Sequence, residues 1–273
     1  MFRAGQYLTP YGIWNVDHGS PTIIAVQRPF IIGQQLFPER QTGIEILGQL
    51  DASAQHSFGY HLTLSNGTGP ASAYRDLDGN KAVAGRAWWR FDGFGELRVG
   101  TSAYYGRDTA ATQVPGPASD GMHIKYTEHI QSSYDVLSLA GDLKWTYGGL
   151  LVQGEVVTQQ RKYLESHRTG ALNPLLGRYL APNDKLSWGV YGLIGYRFEW
   201  YGMMPYLLVQ SLETNDVGTS GMLSIIAWHV GLNVRPIDAL VLKLEYLEGH
   251  FPEDFIVGGK PARLLQAQIA WAF

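Results

Sequence analysis

Cysteine is absent from this 273-residue chain, which removes a disulfide framework, a thiolate metal site and a cysteine nucleophile together. Charge is scarce as well. Asp, Glu, Lys and Arg make up 16% of residues, and a formal net charge of -3 leaves no basic footprint for nucleic acid. No run comes near the ~18 consecutive apolar residues of a membrane-spanning helix. No basic stretch followed by an apolar core opens the sequence, so no signal peptide is expected in it, and an exported protein would be in mature or trimmed form. A Gly-rich phosphate loop, G-x-S-x-G, H-E-x-x-H and a Ser-His-acid spacing are all missing. The expectation is therefore a protein that is not an enzyme and uses no metal or cofactor. Asp17 and His18, beside Trp14, read as turn formers.

What the chain does have is glycine and aromatic rings: 33 Gly, 16 Tyr and 8 Trp, yet a mean hydropathy of only -0.11. Aromatic but not hydrophobic on average fits strands with one apolar and one polar face. Alternation with period two predicts about twelve strands, near 2–8, 41–51, 55–65, 81–92, 95–106, 134–147, 149–160, 186–199, 202–213, 222–235, 238–249 and 262–273. In 81–92, Val83, Ala87, Trp89 and Phe91 share one face, and Arg86, Trp88 and Arg90 the other. No stretch reads as a long amphipathic helix.

The predicted connections alternate in length. Short turns fall at 52–54, 92–95, Gly148-Gly149, near Tyr201-Gly202 and at 236–238; long links fall at 9–40, 66–80, 107–133, 161–185, 214–221 and 250–261. A transmembrane barrel, with short turns at one end and longer loops at the other, produces this pattern. A soluble sandwich has no reason to sort its loops so.

Aromatics follow the same geometry. Trp89, Phe91, Trp145, Tyr147, Tyr196, Phe198, Trp271 and Phe273 lie on apolar faces just before a short turn or the last residue, as one membrane-interface girdle would require. The fold class expected is all-β: a single transmembrane antiparallel barrel over 1–273, its apolar face to the lipid bilayer and its polar face to the lumen. Pore-lining residues are then Arg86, Arg90, Arg98, Glu96, Lys144 and Glu155, with Asp17 and Arg28 contributed by the link 9–40. Arg86, Arg90 and Arg98 would bias the lumen towards anions. The competing reading is that they are neutralised, Arg90 or Arg98 by Glu96, and Lys144 by Asp142 or Glu155.

The link 9–40 is both apolar and turn-rich, unlike a solvated loop. The run Arg3-Ala4-Gly5-Gln6-Tyr7-Leu8-Thr9-Pro10-Tyr11-Gly12, with the loop pattern and terminal Phe273, resembles bacterial outer-membrane porins of the phosphate-selective and related families. That resemblance implies an inward-folded constriction loop over 9–40, a bacterial outer-membrane location and handling by the barrel-assembly machinery. It also implies a homotrimer and small hydrophilic solutes as cargo. Those porins have about sixteen strands, as wide barrels do. Either four N-terminal strands are missing, or the barrel has twelve. The function expected is passive diffusion of solutes or ions with weak anion preference. The alternatives are a structural sleeve around a partner protein, which needs an unobstructed lumen, and an outer-membrane hydrolase.

Overall fold

The computed structural model describes residues 1–16, 19, 22–67, 79–117, 124–164, 172–173, 178–179, 184–214, 223–251 and 261–271, with side chains left aside over 109–132, at 172–179 and at Leu223. The strands are β1 (Phe2–Leu8), β2 (Arg40–Asp51), β3 (His56–Ser65), β4 (Ala82–Gly93), β5 (Gly95–Pro117), β6 (Ile124–Tyr147), β7 (Leu150–Tyr163), β8 (Leu172–Asn173), β9 (Arg178–Tyr179), β10 (Lys185–Tyr196), β11 (Met204–Thr214), β12 (Leu223–Ile237), β13 (Leu240–His250) and β14 (Ala262–Trp271). Twelve of them pair in chain order into one antiparallel sheet with β1 and β14 at its ends, while β8 and β9 pair separately. Every second connection therefore lies at the same end of the sheet. The tight turns sit together, Phe94 between Gly93 and Gly95 and the pair Gly148-Gly149 among them, and the links after β1, β3, β5, β7, β11 and β13 sit opposite.

The two faces are inverted relative to a soluble sheet. On β3, Phe58, Tyr60, Leu62 and Leu64 are exposed while Ser57, Thr63 and Ser65 are buried. On β10, Leu186, Trp188, Val190, Ile194 and Tyr196 are exposed while Lys185, Ser187 and Tyr191 are buried. On β12 and β13, Val230, Leu242 and Leu244 face out, and His229, Asn233, Lys243 and Glu245 face in. Alternation along each strand makes this assignment all or nothing, because a one-residue slip would exchange the faces.

What buries the polar face is the chain between β1 and β2. Tyr11, Trp14, Ile23, Ile24, Ile31, Ile32, Leu36 and Phe37 pack with Tyr104, Tyr191, Leu208 and Leu212 into one apolar cluster. A four-residue helix, α1 (Phe30–Gly33), lies within it, its Ile31 and Ile32 buried. The same segment bonds to strands from β4 to β13, so the sheet curves around it.

Three sequence expectations on the elements need correction. The stretch expected as a link at 107–133 is mostly ladder, with β5 and β6 paired out to Pro117↔Ile124 through a shift at Ala110/Ala111. The link 161–185 contains the β8–β9 pair. The strand expected to reach residue 199 stops at Tyr196, because the chain tightens into a 3-10 turn at Trp200–Gly202 with Tyr201 at φ 51.

Candidate functional site

The inner wall and its covering segment meet at two glutamates. Glu155 on β7 accepts the Trp14 backbone N–H at 2.8 Å and the Tyr191 hydroxyl at 2.6 Å. Gly12 sits directly over it: a Cβ there would stand 1.8 Å from Glu155 Oε2, and its φ of +58 already favours glycine. The Gly12 carbonyl accepts Arg86 Nη1, and Arg86 Nη2 lies 2.7 Å from Asp142 Oδ1. The row between makes this reach available. Trp88, Gly100 and Asp142 are cross-strand neighbours, and Gly100 leaves an opening whose Cβ would stand 2.5 Å from Asp142 Oδ2.

The second point is Glu245 on β13. It accepts the Val26 and Gln27 backbone N–H groups at 3.2 and 3.4 Å and the Tyr206 hydroxyl at 2.6 Å, with His229 Nδ1 at 3.1 Å. Around it, Asn233 donates to the Ile24 carbonyl at 3.1 Å, Lys243 to the Ala25 carbonyl at 3.3 Å, and the Phe30 N–H to Gln210 at 2.7 Å. On the far side, Ser138 and Gln159 both donate to the Leu36 carbonyl, at 2.6 and 2.8 Å. These contacts give the polar wall of β6–β13 its hydrogen-bond partners in the segment's own backbone. That is how a turn-rich apolar segment can cover a polar surface with much of its backbone paired, although Tyr11 Oη and Trp14 Nε1 on the segment and Ser102 Oγ on the wall are buried with no hydrogen-bond partner among the described residues. Tyr11 stacks on Phe37 at 4.3 Å, and burial beside Glu155 pushes its hydroxyl well above the usual phenol range.

The neck of the segment is tied. The Thr9 N–H donates to the Glu39 carbonyl at 3.0 Å, and Asn15 donates to the carbonyls of Thr9 and Glu39 at 2.7 and 3.1 Å. Arg28 lies here, half-exposed and 3.3 Å from Glu39, rather than over the middle of the wall. Asp17 and Phe273 lie outside the described residues, as does His18.

The remaining site residues are divided. Arg86 and Glu155 are 5% and 2% exposed and belong to the contact with the segment. Arg90, Arg98 and Lys144 are only partly buried, and Glu96 is exposed. Arg90 is 3.2 Å from Asp92, and Arg98 lies 5.5 Å over the Trp88 ring. The pairs that form are thus Arg86–Asp142 and Arg90–Asp92, in place of the pairing with Glu96 and Lys144 that adjacency suggested. Among the aromatics, Tyr147, Tyr196, Phe198 and Trp271 are exposed and Trp89, Phe91 and Trp145 partly so. Trp145 stacks with Tyr147 at 6.2 Å, and Trp89 with Phe91 at 6.0 Å. Trp200 and Tyr201, exposed at the same end, were not singled out by sequence, although their place between Phe198 and Gly202 carried the signal. Tyr191 and Tyr206 were also missed, and their parity with Ser187 and Gln210 would have put them on the wall.

No protein-family model matches the chain, and no curated protein matches it.

Proposed function

We propose that this chain closes into a transmembrane β-barrel of a bacterial outer membrane and conducts small hydrophilic solutes or ions passively, with weak anion preference. The observation that carries the reading is the inversion of the faces: exposed bands of Leu, Ile, Val and aromatic residues surround a buried polar wall. In water such a surface far exceeds the apolar patch a monomer tolerates. In lipid it is the required outer face, and closure of β1 and β14, directly or through further strands, removes the edges that hydrocarbon cannot accept. The segment 9–40 then serves as the constriction, and the aromatics at the tight-turn end form the interfacial girdle. Its interior position argues against a sleeve, which needs that space for a partner. Bilayer lipid, the assembly machinery and further copies in a trimer are the partners this function implies.

Reconstitution into planar bilayers tests it. The parent should give discrete conductance steps with a reversal potential displaced to the anion side under a salt gradient, and deletion of 12–37 should raise the conductance. Absence of steps from folded, inserted protein would overturn the channel reading; unchanged conductance after the deletion would overturn the constriction.

A further inference from the structure

Glu45 lies beneath two basic side chains on the inner face of β1–β3. This part of the wall stands apart from the packed covering segment. Among the described residues, the buried apolar cluster draws on strands from β4, with Ala82, to β12, with Ile225, and takes none from β1 to β3. Glu45 Oε2 is 3.1 Å from Arg3 Nη1, and its Oε1 is 2.7 Å from His61 Nδ1. The carboxylate is 1% exposed, whereas Arg3 is 44% and His61 24% exposed. An ion passing this wall meets the two bases, not the acid beneath them.

One proton sets the charge of the cluster. As the partner of Arg3, Glu45 is a carboxylate and only accepts, so His61 Nδ1 carries the hydrogen. Nε2 of the neutral ring is then a bare acceptor, without a hydrogen-bond partner among the described residues. Protonation makes that nitrogen a donor and takes the cluster from zero to a single positive charge. Directly opposite the ring stand Leu47 on β2 and Arg86 on β4, the latter held by Asp142 and the Gly12 carbonyl. On β1, beyond Glu45, are Arg3 and Tyr7, whose hydroxyl donates to the Ile44 carbonyl at 3.1 Å. Arginine and tyrosine keep their charge state between about pH 5 and 8, where histidine changes its own.

We propose that Arg3 and His61 form a filter for small monovalent anions in the lumen, and that the His61 proton makes its anion preference strong in acid and weak in base. The filter deepens the channel reading and rests on it for its effect on flux, but an anion can bind there without conduction. A unit charge about 5 Å from an ion in water, screened over ~8 Å, favours an anion about twofold and disfavours a cation by the same factor.

Two measurements on the full chain separate the filter from the channel. In planar bilayers under a potassium chloride gradient, the parent's anion-to-cation permeability ratio should rise about fourfold from about pH 8 to about pH 5.5. In His61→Gln, which still donates to Glu45, the ratio should stay level. Arg3→Gln should lower the ratio at both pH values and keep the step. Arg263→Gln, a cation paired with Glu248 elsewhere, should change neither. In detergent micelles, where nothing is conducted, excess broadening of the chloride NMR signal should grow on acidification in the parent and not in His61→Gln. Circular dichroism checks that each variant is folded. A permeability ratio level with pH in the parent, or a full step in His61→Gln, overturns the filter. Folded, inserted parent that does not conduct sinks the channel alone if chloride broadening still depends on His61, and sinks both if it does not.

Discussion

Replacing Glu155 by Leu should release the Trp14 end of the covering segment. In the parent, this carboxylate accepts the Trp14 N–H at 2.8 Å and the Tyr191 hydroxyl at 2.6 Å, and it is 2% exposed. Leu fills the space but accepts nothing, so with the segment docked both donors are left buried and unpaired. With the segment lifted, water reaches them. A hydrogen bond to a charged acceptor contributes about 1.5–3 kcal/mol net. Taking about 2 kcal/mol for the Trp14 contact, the lifted population rises roughly thirtyfold. Because the chain lacks cysteine, a single Ile13→Cys gives a clean reporter. Ile13 is 6% exposed in the docked segment. Maleimide labelling in detergent should accelerate about thirtyfold in Glu155→Leu. Glu155→Gln, which keeps a neutral acceptor worth about 1 kcal/mol, should give roughly a fivefold acceleration. Equal rates in parent and Glu155→Leu would refute the reasoning, and so would equal rates in the Leu and Gln variants.

Two further outcomes are expected. Gly12→Ala should expose the same reporter at least as strongly as Glu155→Leu, since a Cβ would meet the carboxylate at 1.8 Å and φ +58 adds about 1–2 kcal/mol of strain; a labelling rate equal to the parent's would contradict the close approach. Val230→Arg, on the outer face of β12 and 51% exposed, should lower folding stability in lipid by about 2–4 kcal/mol, read by urea titration in liposomes. An exposed site on a soluble sheet would tolerate that change within about 0.5 kcal/mol, so a neutral result counts against the lipid-facing assignment.

The strands were readable because period-two alternation is a local property: Val83, Trp89 and Phe91 against Arg86 and Arg90 fixed the faces of β4 without reference to anything else. The outer extensions of β5 and β6 were not, since Thr112-Gln113-Val114-Pro115-Gly116-Pro117 has no alternation and ends in turn-forming residues. Parity also told which side chains point inward, but not what they meet. Strand parity marks Arg86 as pore lining but names no partner for it; its directly opposed neighbours are His61 and Ser102, and the carboxylate it meets, Asp142, lies diagonally across Gly100. Arg90 meets Asp92 on its own strand, two residues away on the same face. The covering of Glu155 and Glu245 by the segment 9–40 depends on closeness across 141 and 219 residues, which no local pattern encodes.

Those separations set an order of events. The segment after β1 is made long before the strands it rests on, and its last anchor, Glu245, belongs to β13, the penultimate strand of the sheet. Contacts so distant along the chain form only after the intervening loops have closed, and their entropic cost is met first. Docking of Val26 and Gln27 is thus withheld until almost the whole sheet is in place. A sheet that lacks β12 and β13 holds the segment through Arg86, Ser138, Glu155, Gln159 and Gln210, with the Ile24 and Ala25 carbonyls unmet. Settling of the segment marks a finished sheet, and a stalled intermediate is betrayed by the same apolar residues that the finished protein keeps out of water.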